Sequence, residues 1–287
     1  METDTPHSLD ALLPAAMAER AEAVGVAKAA LPLPRLFALA VLGGVFISLG
    51  AVFSTAVTAG TGLAPGISRL IGGLSFSLGL ILVVVGGAEL FTGNMLIVMA
   101  AANRKVRLAA LTRNWAVAYV GNFVGALAMA AAVFASGQYR QGNGAVGDRM
   151  LAIATTKSTL SFGPAVMLGI LANLLVCLAI WLSFSARSTT DRIAAVVFPI
   201  TAFVACGFEH SIANMYFLPV GLFVKQHGSA SFWATAATKP SQLGGLTWGD
   251  AFTHNLIPVT IGNMVGGGLL VGLTYWFIYL RHRAARA

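Results

Sequence analysis

Two stretches decide the fold: Gly87-Ala88-Glu89-Leu90-Phe91-Thr92-Gly93-Asn94-Met95 and Gly207-Phe208-Glu209-His210-Ser211-Ile212-Ala213-Asn214-Met215. Glycine, glutamate, a small residue, asparagine and methionine recur at the same spacing. Each stretch also places a carboxylate inside a long apolar run, where ionisable groups are expensive and rare. A second correspondence follows in the same order. Asn114 is followed seven residues later by Gly121-Asn122-Phe123-Val124-Gly125, and Asn255 seven residues later by Gly262-Asn263-Met264-Val265-Gly266. Glycines recur in any helical membrane protein because small residues let helices approach closely. That does not account for the paired Glu and Asn, so the chain reads as two copies of one unit.

Outward from these stretches, the composition is that of a lipid-embedded protein. Of 287 residues, 57% are apolar and 10% charged, against about 25% charged in soluble domains. A membrane span needs about 20 mostly apolar residues. Six are visible, at 36–58, 67–101, 108–134, 162–184, 193–223 and 252–280. The second and fifth are too long for one simple crossing, and each contains one of the two opening stretches. The expected fold is all-α, with six transmembrane helices in an inverted 3+3 repeat and helices 2 and 5 broken. Three spans per unit is an odd number, so the second copy enters the membrane from the opposite side. Such repeats with discontinuous helices mark transport folds. Their freed N–H groups and positive helix ends suit a small anion. Irregular backbone at that depth is tolerated only where it lines a cavity or is buried in protein.

The net charge of +8 does not indicate nucleic acid. The basic residues lie in short loops beside apolar spans and form no aromatic-basic surface motif. With a cytoplasmic N-terminus, that side holds Arg20, Lys28, Arg35, Arg104, Lys105, Arg107, Arg113, Arg187, Arg192, Arg281, Arg283 and Arg286. The other side keeps Arg69, Arg140, Arg149, Lys157, Lys225 and Lys239, a split of 12 to 6. Both termini are therefore expected in the cytoplasm. Residues 1–30 include Glu2, Asp4, Asp10, Glu19 and Glu22 and lack a basic leader, so they are not read as a cleavable signal. Ser8 is a plausible cap for a short amphipathic helix carrying Leu9, Leu12, Leu13 and Met17. Cys177 and Cys206 both fall in apolar stretches and suggest no disulfide framework. The expected layout is one transmembrane domain: an N-terminal cytoplasmic helix over 1–34, a first repeat over 35–134, a periplasmic loop over 135–161, a second repeat over 162–281 and a cytoplasmic tail over 282–287.

Away from the ends of the spans, the Asp, Glu, His, Lys and Arg candidates are three: Glu89, Glu209 and His210. Around them are Thr92, Asn94, Asn173, Asn214 and Asn263. His210 has no counterpart in the first unit, where Leu90 stands. Histidine changes protonation near neutral pH. His210 thus offers a passing anion either a hydrogen bond or a proton; the plain alternative is a neutral ring satisfied by a backbone group or a threonine hydroxyl. Glu89 and Glu209 would repel an anion, so their expected role is structural, accepting hydrogen bonds where their helices break. Asn94 and Asn214 are assigned the same task, while Asn122 and Asn263 either line the path or bridge helices. One histidine and two cysteines at separate span positions do not converge as transition metals require, so neither a metal nor a cofactor is expected. No Ser-His-Asp pattern, nucleotide loop or redox motif is visible, and the chain is not read as an enzyme.

With these residues in hand, the chain resembles the formate/nitrite transporter family of bacterial pentameric channels over about 28–281. The most specific segments are Gly207 to Met215, quoted above, and Asn255-Leu256-Ile257-Pro258-Val259-Thr260-Ile261-Gly262-Asn263. Gly169-Ile170-Leu171-Ala172-Asn173-Leu174-Leu175-Val176-Cys177 and Gly266-Gly267-Gly268 look like the formate branch; the nitrite branch tends to carry Cys-Asn-Trp in the first of these. One departure is Gly93-Asn94, where formate channels often have Ser-Thr. The resemblance implies an aquaporin-like fold and a homopentamer in the bacterial inner membrane. It further implies a pore in each subunit for formate or a similar small anion, with or without a proton. It implies His210 at the pore centre with Thr92 as its hydrogen-bond partner, and Phe76, Leu80, Leu90, Phe91, Val176 and Phe203 as constrictions. It assigns Lys157, Asn173 and Asn263 to the vestibule and central contacts. Taken alone, the Phe and Leu set reads as ordinary packing.

Burying a bare carboxylate at low dielectric costs on the order of 20 kcal/mol before relaxation. Protonating it first, at pH 7, costs only about 5 kcal/mol. A proton donor between apolar constrictions would exploit that difference. The rival readings are a nitrite or hydrosulfide channel of the same family, a neutral-solute aquaporin-like channel and a membrane scaffold. The paired Asn-Pro-Ala boxes of aquaporins are absent, and a scaffold leaves His210 unexplained.

Overall fold

The computed structural model describes residues 11–281. Ser8 and Leu9, the acidic residues before them, and the tail 282–287 with Arg283 and Arg286 lie outside the described residues. No strand occurs among those described. The first helix of the described residues, α1, spans Pro14–Ala29. Proline suits a first helical turn, since its φ is already helical and the missing N–H would have had no partner. The same device opens α2, Leu33–Thr58, and α3, Pro65–Gly86.

After α3 come a turn, a tight 3-10 segment at Gly93–Ile97, and α4 at Val98–Ala102. Helix α5 covers Leu108–Ala135. Helix α6, Ala145–Ser158, lies within the region read from sequence as a loop. It is followed by α7, Phe162–Ser185, and α8, Thr189–Ala205, which is opened by a reciprocal Ser188–Asp191 capping box. Next come α9, Ser211–His227, and the short α10, Ala230–Thr235. The last long helix, Trp248–Tyr279, alternates α and wide π turns: α11 at Trp248–Asp250, α12 at Ile257–Met264 and α13 at Thr274–Tyr279, with π segments at Ala251–Leu256 and Val265–Leu273. Among the described residues, five helices are long and apolar enough to cross a membrane: α2, α3, α5, α7 and Trp248–Tyr279. The protein is a helical, multi-pass membrane protein.

Helix pairings repeat in the two halves. Helix α2 packs on α3 and α5, and α7 packs on α8 and α12, while α3 against α8 joins the halves. Helix α9 is buried along almost its whole length. By contrast, α2, α5 and α7 turn Leu42, Phe53, Val120, Val124, Leu171 and Leu182 outward. Two side chains hold the long segment after α10 in place. The Asp148 carboxylate accepts from the Ala237 and Thr238 N–H groups at 2.8 and 2.9 Å, and Lys225 Nζ donates to the Leu243 and Leu246 carbonyls at 2.8 and 2.7 Å.

The glycines of the second sequence correspondence mark one helix crossing built twice. A Cβ on Gly125 would collide with the Val41 carbonyl of α2, and one on Gly266 with the Ile170 carbonyl of α7. Neither collision can be relieved by a side-chain rotation. Gly125→Ala and Gly266→Ala are each expected to destabilise by about 1–3 kcal/mol, the usual range for overpacking, and to lower the melting temperature of the detergent-solubilised protein. At Gly163 a Cβ meets nothing within 4 Å, and Gly163→Ala leaves the melting temperature unchanged or raises it.

Candidate functional site

The two opening stretches fold around a left-handed glycine at the end of a helix: Gly87 has φ +82° and Gly207 has φ +72°. Only glycine adopts this region without strain. Past the turn, the Glu89 N–H donates to the Leu39 carbonyl at 3.1 Å, and the Glu209 N–H to the Leu168 carbonyl at 3.2 Å. The two carboxylates are thereby carried into the protein, Glu89 at 5% exposure and Glu209 at 6%.

Each carboxylate is met by the same partners. Lys28 Nζ donates to Glu89 Oε1 at 2.7 Å, and Lys157 Nζ to Glu209 Oε1 at 2.8 Å. Asn94 Nδ2 donates to Glu89 Oε2 and Asn214 Nδ2 to Glu209 Oε2, both at 2.7 Å. The same Asn94 and Asn214 amides reach Asn114 Oδ1 and Asn255 Oδ1, at 2.8 and 2.6 Å. Asn114 and Asn255 return to the Lys28 and Lys157 carbonyls, at 3.0 and 3.1 Å. Beside each glutamate a further asparagine splints the turn. Asn122 accepts from the Phe91 N–H and donates to the Ala40 and Glu89 carbonyls; Asn263 accepts from the Ser211 N–H and donates to the Gly169 and Glu209 carbonyls. Both therefore bridge helices.

Three register shifts account for the match. A shift of 129 residues carries Lys28, Leu39, Ala40 and Ile47 onto Lys157, Leu168, Gly169 and Val176. A shift of 120 carries Leu80, Glu89, Leu90 and Asn94 onto Ile200, Glu209, His210 and Asn214, and one of 141 carries Asn114, Tyr119 and Asn122 onto Asn255, Thr260 and Asn263. Tyr119 Oη and Thr260 Oγ1, at equivalent positions, are hydrogen-bonded to each other at 3.1 Å. The clusters differ in a few contacts, among them an Asn255 Nδ2 bond to Glu209 Oε2 at 3.0 Å in the second. Lys28 Nζ also donates to Asn94 Oδ1 at 3.0 Å, whereas Asn214 Oδ1 has no partner and Lys157 Nζ lies 5.6 Å over the Phe217 ring.

Between the clusters lies a cavity of about 10 Å³ walled by Ile47, Phe76, Leu80, Leu90, Val176, Ile200, Phe203 and His210. Roughly 10–15 Å³ is what one water needs, so in this conformation the chamber is closed to any larger solute. Six of its eight walls are repeat-equivalent pairs: Ile47 with Val176, Leu80 with Ile200, and Leu90 with His210. Phe76 and Phe203 complete it, edge to face at 5.6 Å. Leu90 also lines a cavity of about 470 Å³ that includes Lys28, Arg35, Glu89 and Asn94, and so forms the partition between the two spaces.

His210 heads α9, and its Nδ1 accepts the Ala213 N–H at 3.1 Å. That bond assigns the tautomer. With Nδ1 an acceptor, the proton of the neutral ring is on Nε2. Nε2–H then donates to Thr92 Oγ1, 2.8 Å away, which leaves the Thr92 hydroxyl proton available to another acceptor.

The other sequence-predicted residues fall in different places. Asn173 lines neither cavity, and its amide donates to the Thr92 and Asn263 carbonyls at 3.2 and 2.7 Å. Phe91 also lines neither and packs edge-on against Tyr119 at 5.0 Å. Lys28, Ile47 and Ile200 were given no site role from sequence, and Asn114 and Asn255 served there only as markers of the repeat. The register shifts would have exposed all five.

Ionisable side chains buried among apolar spans beside an apolar chamber point to a class, that of membrane transport proteins. Within it, the chain belongs to the formate/nitrite transporter family, whose sequence model matches residues 15–277. It is 50% identical to the formate channel FocA of Escherichia coli (strain K12) over 282 residues, covering 98% of each chain. It is 39% identical over 247 residues to the formate channel FocA of Haemophilus influenzae, covering 86% of this chain and 87% of that one. Among solved structures it is similar to a pentameric formate channel with formate bound, with a TM-score of 0.82 and 43% identity, covering 87% of this chain and 98% of that one.

Breaking a buried ion pair by removing one partner costs about 3–5 kcal/mol. Lys28→Met strands the Glu89 carboxylate, and a loss near the lower end of that range is expected because Lys28 is 28% exposed. Glu89→Gln in the Lys28→Met background should recover much of the lost melting temperature, since an amide needs no counter-charge.

Proposed function

We propose that the chain is a channel for formate and similar small monovalent anions in the bacterial inner membrane, assembled as a homopentamer with one path per subunit. The names of the similar proteins support the substrate and the assembly. In this reading the chain makes six crossings. Helix α3 with the Gly93–Ala102 segments forms the second, and α8 with α9 the fifth, each interrupted at its glutamate. The two units are inverted relative to one another, and both termini are cytoplasmic by the distribution of Lys and Arg. In this reading each unit also takes in the helix before it, α1 with Lys28 and α6 with Lys157, which hold equivalent places. The 470 Å³ cavity is then the inner vestibule, and Lys157 marks the outer one. No residue is assigned a catalytic role.

The observation that carries this reading is the His210–Thr92 pair beside an otherwise apolar chamber. An anion drawn toward Lys28 or Lys157 must shed water to pass Leu90 or the Phe76–Phe203 slit. At the centre, the Thr92 hydroxyl, aligned by the imidazole, donates a hydrogen bond to it. Passing a proton as well asks more of His210. The ring must first hold protons on both nitrogens, and a proton on Nδ1 faces the Ala213 N–H and displaces that bond. Hydrogen bonding is therefore the resting action of the pair, and proton donation belongs to a state in which the ring has left its capping position.

Formate uptake into proteoliposomes between pH 5 and 8, the range in which histidine titrates (about 6.5 unperturbed), tests this. His210→Asn should flatten the pH response while assembly stays intact. An unchanged pH response in an assembled His210→Asn protein rejects the central role of His210. Competition among formate, nitrite and hydrosulfide ranks the substrates, and water flux without anion uptake would favour a neutral-solute channel.

A further inference from the structure

Thr92 can present its hydroxyl to His210 only if its own peptide is held, and it lies in the turn between α3 and the 3-10 segment. Its carbonyl accepts from two side chains one turn apart on α7: Asn173 Nδ2 at 3.2 Å and Cys177 Sγ at 3.3 Å. Both residues are fully buried. The thiol has one proton and two acceptors in reach, and the Thr92 carbonyl is nearer than Asn173 Oδ1 at 3.9 Å. The space around this bracket is filled. A Cβ on Gly267 would lie 2.7 Å from Cys177 Sγ and 2.9 Å from Met95 Cβ, and would collide with the Asn173 amide.

The repeat indicates what the bracket is for. Moving back 129 residues places Gly44 and Ser48 where Asn173 and Cys177 stand. There Ser48 Oγ donates to the Gly44 carbonyl of its own helix at 2.7 Å. The residue equivalent to Thr92 is Ile212, inside α9. At this pair of positions, therefore, α7 reaches across to the broken backbone whereas its counterpart α2 bonds only within itself.

We propose that Cys177 is a positioning residue for the Thr92–His210 pair: its thiol hydrogen bond to the Thr92 carbonyl sets the direction in which the Thr92 hydroxyl points. The inference rests on the transport role of His210 proposed above. The competing view is a buried cysteine acting as a small hydrophobe, for which the donor is immaterial.

The test compares Cys177→Ser, which keeps a donor, with Cys177→Ala and Cys177→Val, which do not. Formate uptake into proteoliposomes is measured across pH 5 to 8, with His210→Asn in parallel. Cys177→Ala and Cys177→Val should both shift the pH profile and slow uptake by about threefold to tenfold, the range one hydrogen bond commands; Cys177→Ser should track the parent protein. The proposal is overturned if Cys177→Ala keeps the parental rate and pH profile while His210→Asn does not. If His210→Asn is also unaffected, the transport reading fails and the positioning role falls with it. A second measurement does not depend on the variants assembling. In Cys206→Ser protein, which retains one thiol, the infrared S–H stretch of Cys177 should lie at the lowered frequency of a donating thiol. A free-thiol frequency overturns the proposal.

Discussion

A carboxylate taken out of water loses hydration worth several kcal/mol even after the protein relaxes, and the loss is recovered only if every oxygen finds a donor. Glu89 and Glu209 set this demand at the two places where the backbone leaves the helix. Each is answered by one lysine and one asparagine five residues along, and that asparagine is tied to a second from the following long helix, which in the second unit also donates to Glu209. Satisfying the carboxylate therefore ties together elements distant in sequence: α1 or α6, the interrupted stretch, and α5 or the last long helix. Irregular backbone inside an apolar body would otherwise be an unpaid liability. Here the glutamate that accompanies it is also its clamp.

The clamps leave the chamber between them almost free of polar groups. Its walls are apolar except for His210, and His210 is already committed on both nitrogens, to the Ala213 N–H and to Thr92. The imidazole is thus the single polar group on the chamber wall, with the Thr92 hydroxyl behind it.

Much of this was legible in the sequence, and the reasons differ by residue type. Glu89, Glu209, Asn94, Asn214, Asn122 and Asn263 stood out because polar residues are rare in apolar runs, so their repetition carries information. The all-helical class followed from the apolar runs themselves. Ile47 and Ile200 were invisible for the opposite reason: an isoleucine in an apolar helix is expected everywhere. Lys28 was hidden by distance, since it lies 61 residues from Glu89 where Lys157 lies 52 from Glu209, and a repeat searched at one fixed spacing does not align them. Asn173 was assigned to the path by resemblance, while its amide is held by the Thr92 and Asn263 carbonyls; whether an amide faces a path or a carbonyl depends on which backbone approaches it.

Tyr119 and Thr260 touch although they occupy the same position in the two units. A residue that meets its own counterpart must sit beside the axis relating them. In a dimer of identical chains, any change there happens twice: two tyrosines would crowd the axis, and two threonines would leave it hollow. A large partner against a small one becomes available only when the halves are joined in one polypeptide and can mutate separately. The same freedom lets one half keep an imidazole where the other keeps a leucine. Fusion of the two units is thus what permits a nearly symmetric body to have an asymmetric centre.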